Sequence, residues 1–132
     1  MRRILEFIPH LTIAMALGLA VFTVLDGFNP MNYMTDGKWE PKKLPVMDRW
    51  LLSRMNTMIR DADSALAAYK IPETARALES FVEDMSNWYV RRCRDRFWAH
   101  GMEQDKINAY MTLYTALETI SRLAAPMIPF MT

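Results

Sequence analysis

The chain has 132 residues, and its length and composition indicate one globular domain. Hydrophobic residues make up 52% and charged residues 23% of it, which excludes a disordered chain and is typical of one that buries a core. The formal net charge of +1 excludes a protein that binds polyanions over its whole surface. A single cysteine excludes an internal disulfide framework and is typical of a reducing compartment.

An apolar run over residues 4–25 follows two arginines at the start of the chain. A basic flank and a length near the ~20 residues that cross a bilayer are typical of a membrane anchor or a signal peptide. Glu6 and Pro9 interrupt the run and leave about 15 uninterrupted residues, a length common for a buried helix. A core helix and a membrane anchor both stay open, and the helices that follow favour the core helix.

The rest of the chain predicts a loop and three amphipathic helices. Two Asp-Gly pairs and several prolines over residues 26–45 predict a loop with no helix of useful length. Apolar residues then recur at spacings of three and four over about 46–69, about 72–99, and from about 103 to a proline at 126. No strand-like alternation is visible. The expected fold is all-α, an antiparallel up-down bundle of about four helices with a Pro/Gly-containing loop after the first.

Three parts of the chain follow from this pattern. Residues 1–25 form an apolar N-terminal helix, residues 26–45 a connection, and residues 46–132 a helical domain.

Residues 86–98, with the sequence SNWYVRRCRDRFW, combine positive charge with aromatic rings within about three and a half helical turns. Four arginines and one aspartate give residues 88–101 a local charge of +3. Guanidinium groups bind phosphates through paired hydrogen bonds, and flat rings are platforms on which unstacked bases lie. The pattern indicates a nucleic-acid contact. The arginines are Arg91, Arg92, Arg94 and Arg96.

The aromatic residues divide by their place on the helix. Trp88 and Tyr89 continue the apolar stripe and are expected to pack in the core, as is Trp50 on the preceding helix. Trp98 lies beyond the stripe and is the better candidate for stacking on a base. An alternative interpretation stays open, in which the four arginines only form ion pairs with acidic residues of neighbouring helices.

Residues that carry catalysis are missing from the sequence. There is no Gly-x-Gly or Walker arrangement, and one cysteine with two histidines cannot close a tetrahedral zinc site. Cys93 and His100 have no orienting carboxylate or oxyanion hole beside them. We therefore expect no catalytic residue, no metal site and no cofactor in this chain.

Four motifs in order resemble the anticodon-binding helical domain of isoleucyl-tRNA synthetases, a class I aminoacyl-tRNA synthetase family. The segment LDGFNP at 25–30 also resembles the loop before that domain. Valyl- and leucyl-tRNA synthetases share the architecture, but the residues of the motif at 86–98 favour the isoleucyl-tRNA synthetases. The motifs are MDRWLLSR at 47–54, ARALESFVEDMSNWYVRRCRDRFW at 75–98, AYMTLY at 109–114 and AAPMIPFMT at 124–132.

The resemblance implies a module that holds the anticodon stem and loop of an isoleucine-specific tRNA. It implies that the four arginines bind backbone phosphates and that Asn87 is the nearest candidate for reading a base. Because the chain lacks the family's His-x-Gly-His and Lys-Met-Ser-Lys-Ser signatures, it looks like a fragment. Aminoacylation, ATP and isoleucine would belong to other parts of the parent synthetase. The implied protein is cytoplasmic and monomeric and needs no membrane.

Two other functions stay open. Residues 4–24 are aliphatic where the family has a more aromatic helix. One alternative is a small membrane-anchored helical protein that uses the apolar residues 4–25 as its anchor. The other is a structural bundle that docks onto another protein.

Overall fold

The computed structural model describes Leu17, residues 27–35 and residues 39–128. The predicted helix over residues 4–25 lies outside this range apart from Leu17, so the core helix and the membrane anchor both stay predictions. Within the ranges described, no helix is both long and apolar enough to cross a membrane.

The described part is a helical bundle without strands, which confirms the predicted all-α class. A π-helical segment, Asp84–Val90, lies between α3 and α4, and Pro41–Lys43 form a 3-10 turn before α2. The helices are α1 at Pro30–Thr35, α2 at Val46–Ala67, α3 at Ile71–Glu83, α4 at Arg94–Trp98 and α5 at Gln104–Ala124.

The core lies where α2 packs against α3 and α5. Buried residues follow α2 at alternating spacings of four and three, which places them on one face of a helix with 3.6 residues per turn. The buried residues of α2 are Asp48, Leu51, Met55, Met58, Ala62 and Ala65. Those of α3 are Thr74, Ala75, Leu78, Phe81 and Val82.

The segment predicted as a loop contains a six-residue helix, α1, that the sequence interpretation did not include. The side-chain oxygen of Asn29 accepts a hydrogen bond from the backbone N–H of Met31 at 3.1 Å, and Pro30 opens the helix. The ring of Phe28 lies 4.9 Å from that of Tyr110 and 5.4 Å from that of Tyr33. Through these ring contacts, Phe28 fastens this segment to the bundle.

The turn between α2 and α3 holds a residue in the left-handed region. The N–H of Lys70 donates to the carbonyl of Ala65 at 2.8 Å, and the N–H of Tyr69 to that of Leu66 at 3.0 Å, which is the Schellman pattern. Tyr69 occupies its left-handed position with φ of 58° and is 92% exposed. Glycine is the usual residue there, because a Cβ is disfavoured at this φ.

Replacing Tyr69 with glycine is expected to raise the free energy of unfolding by about 0.5–1 kcal/mol, because the steric cost of the Cβ disappears while little buried contact is lost. Urea unfolding followed by circular dichroism measures the change. Tyr69→Ala is the control, since it keeps the Cβ and is expected to give no gain. An equal gain in both variants would contradict the backbone explanation.

Candidate nucleic-acid interface

The stretch over residues 87–98, called here the arginine segment, has one buried and one exposed face. Tyr89, Cys93 and Phe97 recur at a spacing of four and point into the core. The rest of the segment exposes a set of polar, charged and aromatic residues. This set comprises Asn87, Trp88, Arg91, Arg92, Arg94, Asp95 and Trp98.

Trp88 is 51% exposed, so the prediction that it packs in the core is wrong, whereas the same prediction for Tyr89 is confirmed. The π-helical segment accounts for the difference. Its i→i+5 hydrogen bonds enclose one more residue per turn than those of an α-helix. A residue three positions after the buried Met85 has therefore not come back to the core face, but Tyr89, four positions after it, has.

Trp88 and Arg92 form a cation–π pair, with the guanidinium carbon of Arg92 lying 4.7 Å from the centre of the Trp88 ring. The pair places a positive charge beside the exposed tryptophan ring. Sequence reasoning placed Arg92 at the interface but missed Trp88. The signal was the spacing of four between the two residues, which places them side by side on a helix.

A groove with a volume of about 570 Å³ runs between α2 and the arginine segment. Trp50 packs against the core with part of its ring and also lines this groove, so it is less buried than expected. Nε of Arg54 donates to the carboxylate of Asp84 at 2.9 Å across the groove. The other lining residues are Val46, Met47, Trp88 and Arg92. The groove therefore offers two indole rings and the guanidinium of Arg92, which pairs with no carboxylate of the described residues.

Arg96 faces the interior, although the sequence interpretation placed it on the outer surface. Its side chain is 18% exposed. The two terminal nitrogens donate to the two carboxylate oxygens of Asp48 at 2.7 and 2.8 Å, and Nε donates to the carboxylate of Asp105 at 2.8 Å. The alternative interpretation, an ion pair with acidic neighbours, therefore describes Arg96.

The other three arginines have a different environment. Arg91, Arg92 and Arg94 are exposed, and in the part of the chain that the structure describes none of them forms an ion pair with a carboxylate. Their positive charge is thus available to an anionic ligand. Trp98, at 63% exposure, and Asn87 lie on the same segment, as the sequence predicted.

Asp48 was missed as a partner of the arginine segment. It is fully buried and accepts a hydrogen bond from the Tyr89 hydroxyl at 2.7 Å. The signal was its position three residues before Leu51, on the buried stripe of α2. A carboxylate at a core position requires a buried partner, and the partner is Arg96.

Burial and the opposing charge perturb the titrating groups of this cluster. Burial, followed by the negative charge of Asp48, raises the pKa of Tyr89 well above its ordinary value. Burial alone would lower the pKa of Arg96, but its hydrogen bonds to Asp48 and Asp105 outweigh this and raise it. Burial also raises the pKa of the Cys93 thiol, which makes a nucleophilic role for this residue unfavourable.

The raised pKa of Tyr89 predicts a loss of stability at alkaline pH. Above about pH 10 the phenol ionises in the unfolded chain and stays protonated in the folded one. The unfolded state then binds fewer protons, so the free energy of unfolding falls by up to about 1.4 kcal/mol per pH unit from this group. Urea unfolding at a series of pH values between about 9 and 11 measures the fall.

Tyr89→Phe is the matched variant, because it keeps the ring and removes the proton. The variant is expected to be less stable near neutral pH, because it lacks the hydrogen bond to Asp48. Its free energy of unfolding is expected to fall less steeply with pH above about 10. If the free energy of unfolding fell equally steeply with pH in both proteins, the pH dependence could not come from the Tyr89 phenol.

Comparison with known proteins places the chain in a family. A family profile described as the anticodon-binding domain of tRNA ligase matches residues 48–132, which include all but the first two residues of α2 and the whole of α3, α4 and α5. Isoleucine–tRNA ligase from Clostridium novyi (strain NT) is 49% identical over 111 residues, which cover 84% of this chain and 10% of that protein. The enzyme of the same name from Porphyromonas gingivalis (strain ATCC BAA-308 / W83) is 47% identical over 115 residues, with the same coverage of both chains.

A third relative, isoleucine–tRNA ligase from Clostridium tetani (strain Massachusetts / E88), is 43% identical over 112 residues, or 85% of this chain. The chain spans about a tenth of the length of the curated relatives that it matches. The matched region contains the whole arginine segment and both of its carboxylate partners. The chain therefore belongs to the family of anticodon-binding domains of tRNA ligases.

Proposed function

We propose that the chain is the tRNA-binding module of an isoleucine–tRNA ligase and that it holds the anticodon stem and loop. The observation that carries the proposal is the exposure of Arg91, Arg92 and Arg94 on one segment, with no carboxylate partner among the described residues. Three fixed cations on a chain of net charge +1 form a local site for a polyanion.

The arginines contribute affinity and orientation rather than sequence recognition. A guanidinium donates two parallel hydrogen bonds to a phosphate, and phosphate contacts fix how a protein lies on a nucleic acid without reading its bases. Binding through such contacts releases counterions and weakens as the salt concentration rises. Arg96 has no part in these contacts, because its guanidinium is committed to Asp48 and Asp105.

Bases of a single-stranded loop would be recognised by the exposed side chains beside the arginines. RNA loops present unstacked bases that stack on aromatic rings and form hydrogen bonds along their edges. Trp88 and Trp98 offer rings, and Asn87 offers an amide that donates and accepts. The groove beside Trp88 and Trp50 has a volume of about 570 Å³, which leaves room for one base against the indole.

The chemistry of aminoacylation would lie in the rest of the enzyme. The relatives are isoleucine–tRNA ligases ten times as long as the matched region, and we assign ATP and isoleucine to parts outside this chain. The specificity for isoleucine tRNA follows from the names of the relatives. We also propose that the parent enzyme works as a monomer in the cytoplasm.

Replacing both Arg91 and Arg94 with alanine is expected to weaken tRNA binding and to reduce its salt dependence. Two phosphate contacts are lost, so the slope of log K against log salt should become shallower by about 1.5–2. Filter binding of an isoleucine tRNA transcript over a range of salt concentrations measures both quantities.

The matched control is Arg60→Ala combined with Arg122→Ala, which removes the same charge from exposed positions of α2 and α5. These positions lie towards the ends of the two helices that are remote from Asp48 and Asp105. The control is expected to keep the salt slope of the unmutated chain. Equal slopes for the two double variants would contradict phosphate binding by the arginine segment, and a stable oligomer without RNA affinity would support the protein-docking alternative.

Replacing Trp88 with alanine is expected to cost about 1–3 kcal/mol of binding free energy, because the stacking platform for a base is removed. Trp88→Phe keeps an aromatic ring and should lose less binding free energy. Fluorescence titration with the same transcript measures the affinity of each variant. An alanine variant that binds as tightly as the unmutated chain would exclude stacking on this residue.

A further inference from the structure

The guanidinium of Arg96 has no N–H group left for a ligand. Three of its five N–H groups donate to the carboxylates of Asp48 and Asp105. The remaining two reach the backbone carbonyl of Asp105 at 3.0 Å and the sulfur of Cys93 at 3.5 Å. Because an arginine carries five N–H donors in a rigid plane, every donor of this residue has an acceptor inside the protein.

Asp48 is the centre of this cluster and joins three helical regions. It lies in the first turn of α2, and both of its carboxylate oxygens are bound by Arg96 of α4. Its Oδ1 also accepts the hydrogen bond of Tyr89 from the π-helical segment. Asp105, the second carboxylate on Arg96, lies in the first turn of α5. These contacts therefore link α2, the π-helical segment, α4 and α5 to one another.

The exposed arginines lie in the chain between two residues that are both bound to Asp48. Tyr89 precedes Arg91 by two positions, and Arg96 follows Arg94 by two positions. With both ends of this stretch held by one buried carboxylate, the stretch cannot rotate about its own axis. The side on which its exposed guanidinium groups stand is thereby fixed.

We propose that Asp48 and Arg96 are positioning residues for RNA binding. They hold Arg91, Arg92 and Arg94 in one orientation towards the phosphates and do not contact the RNA. This role rests on the proposed function, and it assigns to Arg96 a different task from that of its three neighbours.

Two substitutions with the same change in charge test the proposal. Asp48→Asn and Asp95→Asn each remove one negative charge, and Asp95 is exposed on the arginine segment. Long-range electrostatics alone would strengthen the binding of a polyanion in both variants. Positioning by Asp48 predicts opposite results. Asp48→Asn should bind an isoleucine tRNA transcript about tenfold more weakly, as expected when one or two phosphate contacts are misplaced, whereas Asp95→Asn should bind at least as tightly as the unmutated chain.

Circular dichroism and thermal unfolding show whether Asp48→Asn is folded at the temperature of the binding assay. A second measurement needs no substitution. A dicarbonyl reagent that modifies accessible guanidinium groups is applied to the unmutated chain with and without the transcript, and modified residues are identified by mass spectrometry. Arg91, Arg92 and Arg94 should react in the free chain and be protected by RNA, and Arg96 should react in neither state.

Two results would overturn the proposal. One is an Asp48→Asn variant that is folded and binds as tightly as Asp95→Asn. The other is an Arg96 that reacts in the free chain and is protected by RNA. Either result, obtained with an unmutated chain that binds the transcript, leaves the proposed function intact. An unmutated chain that binds no transcript at low salt would instead refute the proposed function itself.

Discussion

The ion pair between Asp48 and Arg96 is the interaction on which the rest of this structure depends. A fully buried carboxylate is costly unless its partner satisfies both oxygens, and Arg96 does so through two parallel hydrogen bonds. The hydroxyl of Tyr89 supplies a third donor. Apolar contacts between helices permit small rotations and slides, whereas these hydrogen bonds are directional and restrict such movements. The bundle therefore has a defined geometry at the end where its cationic surface lies.

This arrangement divides four arginines of one short segment between two tasks. Arg96 lies in the interior, and Arg91, Arg92 and Arg94 lie on the surface. The separation is a matter of helix geometry, because Arg96 lies three positions after the buried Cys93 and next to the buried Phe97. The four arginines look equivalent in the sequence. In the structure, the charge of Arg96 stabilises the fold, and the charges of the other three are accessible to a ligand.

Much of the fold could be predicted from the sequence, because apolar residues that recur every three or four positions indicate the buried face of a helix. The bounds of α2 and α5 differ from the expected ones by a few residues, and Tyr89 lies in the core as expected. The exposure of Trp88 could not be predicted, since a 3.6-residue period was extended through a π-helical segment. The role of Arg96 could not be separated from that of Arg91 by residue type. Asp48 on the buried stripe of α2 was the available signal that one arginine had to turn inward.

The π-helical segment has a consequence for how this domain tolerates changes in length. A turn closed by i→i+5 bonds holds one residue more than an α-helical turn, so Asp84–Val90 takes up a surplus residue without rotating the helix that follows. Loss of one residue there, with a return to ordinary α-helical winding, would leave Arg96 facing Asp48. The same deletion in α2 would rotate the rest of that helix by about 100° and expose part of its buried face to water. A change of one residue in length is thus best accommodated in this stretch.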